Sequence, residues 1–170
     1  MSTGLARFNS LGRHRARAEL LRCCGSENWA RQMGARRPFA SVEELLDTAD
    51  EIWSSLGKKD WLQAFGHHPR IGGSDIEQDR FEGTRNWSRS EQSGMADASE
   101  EMRAELASGN DAYYERFGYI FLICAAGKTA QAILQQLEAR SGNDPETELG
   151  NAAEQQRLIT RLRLEKLLRS

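Results

Sequence analysis

Two of the chain's three histidines stand side by side in Phe65-Gly-His67-His68-Pro69-Arg70-Ile71-Gly72-Gly73, and they are its clearest source of chemistry. Proline disfavours helical backbone in the residue before it and fixes its own φ, so His68 is expected in an extended conformation on a rigid loop. A histidine held in this way suits general acid/base work, because imidazole ionises near neutrality. The spacing alone favours an exposed histidine pair that does nothing. A metal fits less well. Adjacent histidines point in different directions, and no His-x-x-x-His, cysteine pair or carboxylate at ligand spacing accompanies them, so no metal site is expected.

Ser88-Arg89-Ser90-Glu91-Gln92 is the second candidate. Ser-x-x-Glu is itself a helix-capping box. Glu91 also precedes Met95 by four and would project from the apolar stripe of the helix so begun. A buried glutamate is costly unless paired or wet, which favours a carboxylate facing a cavity. Gly127-Lys128-Thr129 has the ending of a phosphate-binding loop, but Leu122 occupies the place of the required glycine and no strand precedes it, so nucleotide binding is rejected. The four tryptophans (Trp29, Trp53, Trp61, Trp87) are scattered, and suit core and pocket walls better than a base-stacking platform.

Helices must position these groups. No stretch alternates apolar and polar residues between turn signals, so no strand is expected. Ser41-Val-Glu-Glu44 is a capping box, followed by Val42, Leu45, Leu46, Ala49, Ile52, Trp53 and Leu56 at helical spacing, with Gly57 as a left-handed stop. A short helix is expected over Asp60–Phe65, then a long loop from Gly66 to Asn86 containing Pro69 and four glycines. Ser88–Glu91 should open the next helix, with Met95, Ala98, Met102 and Leu106 on one stripe. Asn110 should cap another, whose Tyr113, Phe117, Ile120, Phe121 and Cys124 share a face. Ala130–Leu137 and a final helix from about Glu146 to Leu168 complete the chain. The expected fold is an all-α, single-domain helical bundle over residues 1–170.

At 170 residues, with 39% apolar and 28% charged residues, the chain can bury a real core and is not disordered. It has no apolar run long enough for a membrane span, no signal-like N-terminus, and a C-terminal Leu168-Arg169-Ser170 that is not a peroxisomal tripeptide. A cytoplasmic protein is expected. Cys23, Cys24 and Cys124 lack Cys-x-x-Cys spacing and read as small buried thiols in a reducing compartment. Arginines crowd the first forty residues (Arg7, Arg13, Arg15, Arg17, Arg22, Arg31, Arg36, Arg37), although the net charge is only −2. They are read as solvated or as packed on acidic neighbours, not as a nucleic-acid face.

Taken in order, several segments resemble one family, the 2-oxo-4-hydroxy-4-carboxy-5-ureidoimidazoline (OHCU) decarboxylases. They are Phe8-Asn9, Cys23-Cys24-Gly25-Ser26 with Trp29, Arg37-Pro38-Phe39, His68-Pro69-Arg70-Ile71-Gly72 and Ser88-x-x-Glu91-Gln92. Asn110-x-x-Tyr113, Phe117-Gly118-x-x-Phe121-Leu122-Ile123-Cys124, Arg140 and Arg163-Leu164 continue the series. His67 and Gly73 depart from the pattern only where variation is expected. The resemblance implies a helical homodimer without metal or organic cofactor, acting on the small molecule OHCU in purine breakdown and linked to hydroxyisourate hydrolase. It implies catalytic roles for His68 and Glu91. It implies substrate binding by Pro69, by Ser88, Arg89, Ser90 and Gln92, by Ile123, Cys124, Ala125, Ala126 and Gly127, and by Arg163. Arg163 stands four residues from Ile159 and Leu167 and should face inward, whereas Arg161 should face solvent.

Overall fold

The computed structural model describes residues 2–73 and 82–170. Every regular element among them is helical, and none is long and apolar enough to cross a membrane. The chain gathers into two compact units: one takes residues up to Ala64 together with Arg157–Ser170, and the other is Phe65–Gln156.

The first unit is built from α1 (Thr3–Ser10), α2 (Arg13–Cys23), α3 (Glu27–Ala35), α4 (Val42–Ser55), most of α5 (Lys58–Phe65) and the C-terminal part of α9 (Pro145–Arg169). Serines start three of these helices by accepting backbone N–H bonds: Ser2 from Leu5, Ser26 from Trp29 and Ser41 from Glu44. The expected capping box at Ser41 is present, its Glu44 Oε2 accepting the Ala40 N–H at 2.6 Å. Trp29 is fully buried and donates its indole N–H to the Ala49 carbonyl at 3.1 Å, which ties α3 to α4. Gly57 is not the expected left-handed stop. α4 ends on an extended Leu56 (φ −80°, ψ 162°), whose N–H reaches the Trp53 carbonyl. An apolar residue at the cap buries itself there, and the helix needs no positive φ.

The second unit holds α6 (Arg85–Glu91), a 3₁₀ turn at Ser93–Met95, α7 (Glu100–Phe117), α8 (Ala130–Ser141) and the first part of α9. Residues 74–81 of the expected long loop lie outside the described residues. The remainder of that loop is not all irregular, since α6 begins at Arg85 and includes Asn86. Ser88–Glu91 therefore close a helix where they were expected to open one. Ser99 is the true cap, its Oγ accepting the Met102 N–H at 3.1 Å, with Glu100 and Glu101 in the first turn where the helix dipole favours acids. Met95 sits in the 3₁₀ turn, so it shares no helix stripe with Met102 and Leu106.

Asn110 caps nothing. α7 runs through it to Phe117 and ends at Gly118, whose φ of 82° is open to glycine at little cost. Ile120, Phe121 and Cys124 therefore lie in an irregular segment beyond the helix. Tyr113, Phe117, Tyr119 and Phe121 still converge: the Tyr113 ring is 4.6 Å from Phe117, and 5.4 Å from Phe121 in an edge-on arrangement. Tyr113 and Phe117 share a face of α7, and packing brings Tyr119 and Phe121 to them from beyond the helix end.

Candidate active site

The two adjacent histidines receive opposite environments. His67 is exposed, whereas His68 is 8% exposed and its Nε2 stands 2.7 Å from Gln156 Oε1, a fully buried amide on α9. Three further ties fix the loop that follows. Gln92 Oε1 accepts the Gly72 N–H at 3.0 Å, Asn110 Nδ2 donates to the Ile71 carbonyl at 3.4 Å, and Arg70 pairs with Asp111. Gly72 has φ 70°, and a Cβ there would crowd Leu106 and Met95 at 3.2 and 3.3 Å. The loop is thus held by α6, α7 and α9 together.

On α6, Ser88 and Glu91 are buried while Arg89 and Ser90 are exposed. Residues three apart share a helix face, so Ser88 and Glu91 point the same way and the two between them do not. The inward expectation for Glu91 holds, although the helix that delivers it is not the expected one. Gln92 follows as the C-cap, and its oxygen is engaged by the loop.

The irregular segment after Gly118 buries Ile123 and Ala125, half-buries Cys124 and exposes Ala126 and Gly127. Cys124 is accordingly less enclosed than a buried thiol was expected to be. The backbone of the segment is anchored at two residues. Arg140 Nη1 donates to the Leu122 carbonyl at 2.8 Å, and Gln155 Oε1 accepts the Cys124 N–H at 2.9 Å. Arg140 is itself held by Glu148, which is fully buried. Arg140 Nε donates to Glu148 Oε1 at 2.7 Å, and Nη2 lies 2.7 Å from the same oxygen as an ionic contact without hydrogen-bond geometry. Tyr113 Oη donates to that oxygen at 2.6 Å, and Asn143 Nδ2 to the other at 3.0 Å. Burial pushes the Glu148 carboxyl up, but these hydrogen bonds and the Arg140 charge outweigh it and hold the group below the ordinary glutamate range. Burial, reinforced by the bond to Glu148, pushes the Tyr113 phenol up, so it stays a neutral donor.

Arg163 belongs to the other unit. It is 2% exposed and Nη1 donates to the Arg22 carbonyl at 3.2 Å, so the inward register read from its spacing is correct. Arg161 is not simply solvated. It pairs with Asp50 at 2.7 Å and Asp47 at 3.7 Å, and Arg157 reaches Asp50 at 3.0 Å. Cys23 and Cys24 are buried beside this helix, and burial pushes the Cys24 thiol up to about 12. Much of the N-terminal arginine run is engaged within the unit. Arg17 pairs with Glu27, Arg22 with Glu19, and Arg37 Nη1 donates to the Phe8 and Leu11 carbonyls at 2.9 Å. Among the described residues, no three His, Cys, Asp or Glu side chains gather as a metal-ligand group.

The family model described as OHCU decarboxylase matches residues 9–165, which include all of these groups. The chain belongs to the OHCU decarboxylase family. It is 38% identical over 85% of its length to the uric acid degradation bifunctional protein TTL of Arabidopsis thaliana, and covers 45% of that protein. It is 32% identical over 78% of its length to the 2-oxo-4-hydroxy-4-carboxy-5-ureidoimidazoline decarboxylase of Amia calva, and covers 75% of it. Against a crystal structure of OHCU decarboxylase in the presence of (S)-allantoin the TM-score is 0.78 at 38% identity, covering 90% of this chain and 99% of that one. A crystal structure of (S)-allantoin synthase shares the fold at 18% identity, with a TM-score of 0.70.

Beside the groups expected from the family, the structure adds two that the sequence did not single out: Gln156 bonds His68, and Gln155 anchors the Cys124 N–H. Arg140 and Asn110, present in the family segments without an assigned site role, anchor the Leu122 carbonyl and the histidine loop. One signal for Gln156 was available. It stands four residues after Ala152 and seven before Arg163, on the buried stripe of α9, where an amide must find a partner.

Proposed function

We propose that this chain decarboxylates OHCU to (S)-allantoin in urate breakdown. The observation that carries this reading is the family match over residues 9–165, within which a buried His68 and a buried Glu91 stand on separately anchored segments of one unit. The substrate's own chemistry makes the reaction accessible to such a site. Its C4 bears both a carboxylate and a hydroxyl, beside an imine carbon. As the bond to carbon dioxide breaks, its electron pair forms a double bond between C4 and C5, and the imine π pair moves to nitrogen, which gains a proton. The hydroxyl then gives up its proton to become the carbonyl of allantoin, and C5 gains one. The substrate is its own electron sink, so no metal and no organic cofactor is required.

His68 takes the hydroxyl proton and Glu91 orients the hydroxyl or shares that proton. Protonation of C5 from one face sets the (S) centre. Ser88, Gln92 and Pro69 line the substrate, and the backbone of Ile123, Cys124, Ala125, Ala126 and Gly127 offers amide and carbonyl partners. Arg89 and Ser90, exposed on α6, and Arg163, in the other unit, enter through the family resemblance alone. The unbroken family match supports one decarboxylase domain spanning both units. The relatives described as bifunctional uric acid degradation proteins are longer than this chain and support a functional link to hydroxyisourate hydrolase. The enzyme is a cytoplasmic homodimer in this reading.

The test supplies urate with urate oxidase and hydroxyisourate hydrolase, then adds this protein after dialysis against a strong chelator. Carbon dioxide release well above the spontaneous rate is expected. Release no faster than without the protein, or release that returns only with added zinc or manganese, contradicts the reading.

A further inference from the structure

Histidine has two ring nitrogens, and acid/base work needs one of them committed. Gln156 Oε1 lies 2.7 Å from His68 Nε2, with the glutamine fully buried and the histidine nearly so. A carboxamide oxygen only accepts, so a contact this short requires a proton on Nε2 whether the ring is charged or neutral. Neutral His68 is then the Nε2–H tautomer, with its lone pair on Nδ1.

We propose that Gln156 is the positioning residue of the acid/base histidine, and that Nδ1 is the atom of His68 that takes up the substrate's proton. In that step the hydroxyl O–H bond breaks as the Nδ1–H bond forms, and the Nε2–H bond to Gln156 is kept throughout. Two features make Gln156 suited to this. The amide orients the ring without adding a second charge, which a buried carboxylate in its place would do. It is also itself immobilised: burying an amide is costly unless its polar atoms are bonded, and it stands on a continuous helix beside Gln155, whose oxygen holds the Cys124 N–H at 2.9 Å. One turn of α9 therefore fixes both the histidine loop and the 122–124 backbone.

The role of Gln156 in turnover rests on the proposed function, but the tautomer does not, and the experiment separates them. The whole chain is labelled with ¹⁵N-histidine, and its long-range ¹H–¹⁵N correlations are recorded without substrate in alkaline solution. Of the three histidines, the His68 signals are those missing in His68→Asn. The expected result is a pyrrole-type Nε2 and a pyridine-type Nδ1. A protonated Nδ1, or an even mixture of tautomers, overturns the proposal, and the only variant needed is His68→Asn for the assignment.

Gln156→Leu should release the tautomer and lower kcat by about 10- to 100-fold, the cost seen when a metal-bound histidine loses its outer hydrogen-bond partner. KM should stay nearly constant, since the substrate's own contacts are kept. Gln156→Glu keeps an accepting oxygen and should retain the Nε2–H form and more turnover than the leucine variant. A folded Gln156→Leu protein with unchanged tautomer and unchanged kcat also overturns the proposal. OHCU turnover with Nδ1 protonated removes the role of Gln156 alone. An Nε2–H ring in a protein that never turns over OHCU removes the proposed function, and the catalytic half of this proposal with it.

Discussion

Positions 67 and 68 carry the same side chain in opposite surroundings, exposed and buried, and that contrast makes them a controlled pair. His68→Asn should lower (S)-allantoin formation by roughly 10²–10⁴-fold, the usual contribution of a general acid/base, while the circular dichroism of the helices is unchanged. His67→Asn should cost little. Equal, small losses in both would mean that the loop is not the catalytic centre. Arg161 and Arg163 form a second pair. Arg163→Lys keeps the charge but loses the planar fork of a buried guanidinium, so the apparent KM should rise clearly. Arg161→Lys should leave KM unaltered, because that side chain is committed to Asp50 and Asp47. The reverse pattern would dismiss Arg163 as a substrate arginine. At this scale the sequence was informative wherever a covalent rule acted. Pro69 singled out His68 from His67, and helical spacing turned Arg163 inward. For Gln156 helical spacing offered an inward amide but not its partner, which lies 88 residues away.

Among the elements, the segment after Gly118 depends on a buried ion pair, not on secondary structure of its own. Glu148 holds Arg140, Arg140 holds the Leu122 carbonyl, and Tyr113, Asn143 and Asn151 also donate to the carboxylate. Glu148→Gln strands a buried guanidinium, so urea unfolding at neutral pH should show a loss of about 3–5 kcal/mol. The native Glu148 carboxyl lies below its ordinary value of 4.5. Its stabilising effect is therefore complete above that value and is lost as pH falls through the lower native one. The parent protein should lose stability steeply in that acid range, and Glu148→Gln should lose less there. A variant as stable as the parent at neutral pH, with the same acid dependence, would show that the pair carries no stability.

From Ser41 onward most helices were legible from capping and periodicity, as at Ser41 itself and along α9, whereas α1, α2 and α3 were not placed individually. The helix ends between Arg85 and Gly118 were not legible. Ser-x-x-Glu also fits inside a helix, as it does here, and the apolar run Ile120–Cys124 carries no signal that separates helix from buried irregular chain. Tertiary contacts decided both cases.

At the scale of the whole molecule, the family match runs through both compact units, and the aligned crystal structure of OHCU decarboxylase is covered almost completely. The all-helical class followed from the sequence, since no stretch offered a strand. The division of the chain into two units did not, because α9 belongs to both and its sequence shows no break at Gln156. In the proposed reaction this chain makes one enantiomer of allantoin. Without a chiral site, the enol left after decarboxylation is protonated on either face and gives a racemate. The decisive measurement is the circular dichroism of allantoin formed from urate by urate oxidase and hydroxyisourate hydrolase, with and without this protein. A growing (S)-allantoin signal that requires the protein and vanishes with His68→Asn is expected. A racemic product formed at the same rate in its presence and absence would contradict the proposed reaction.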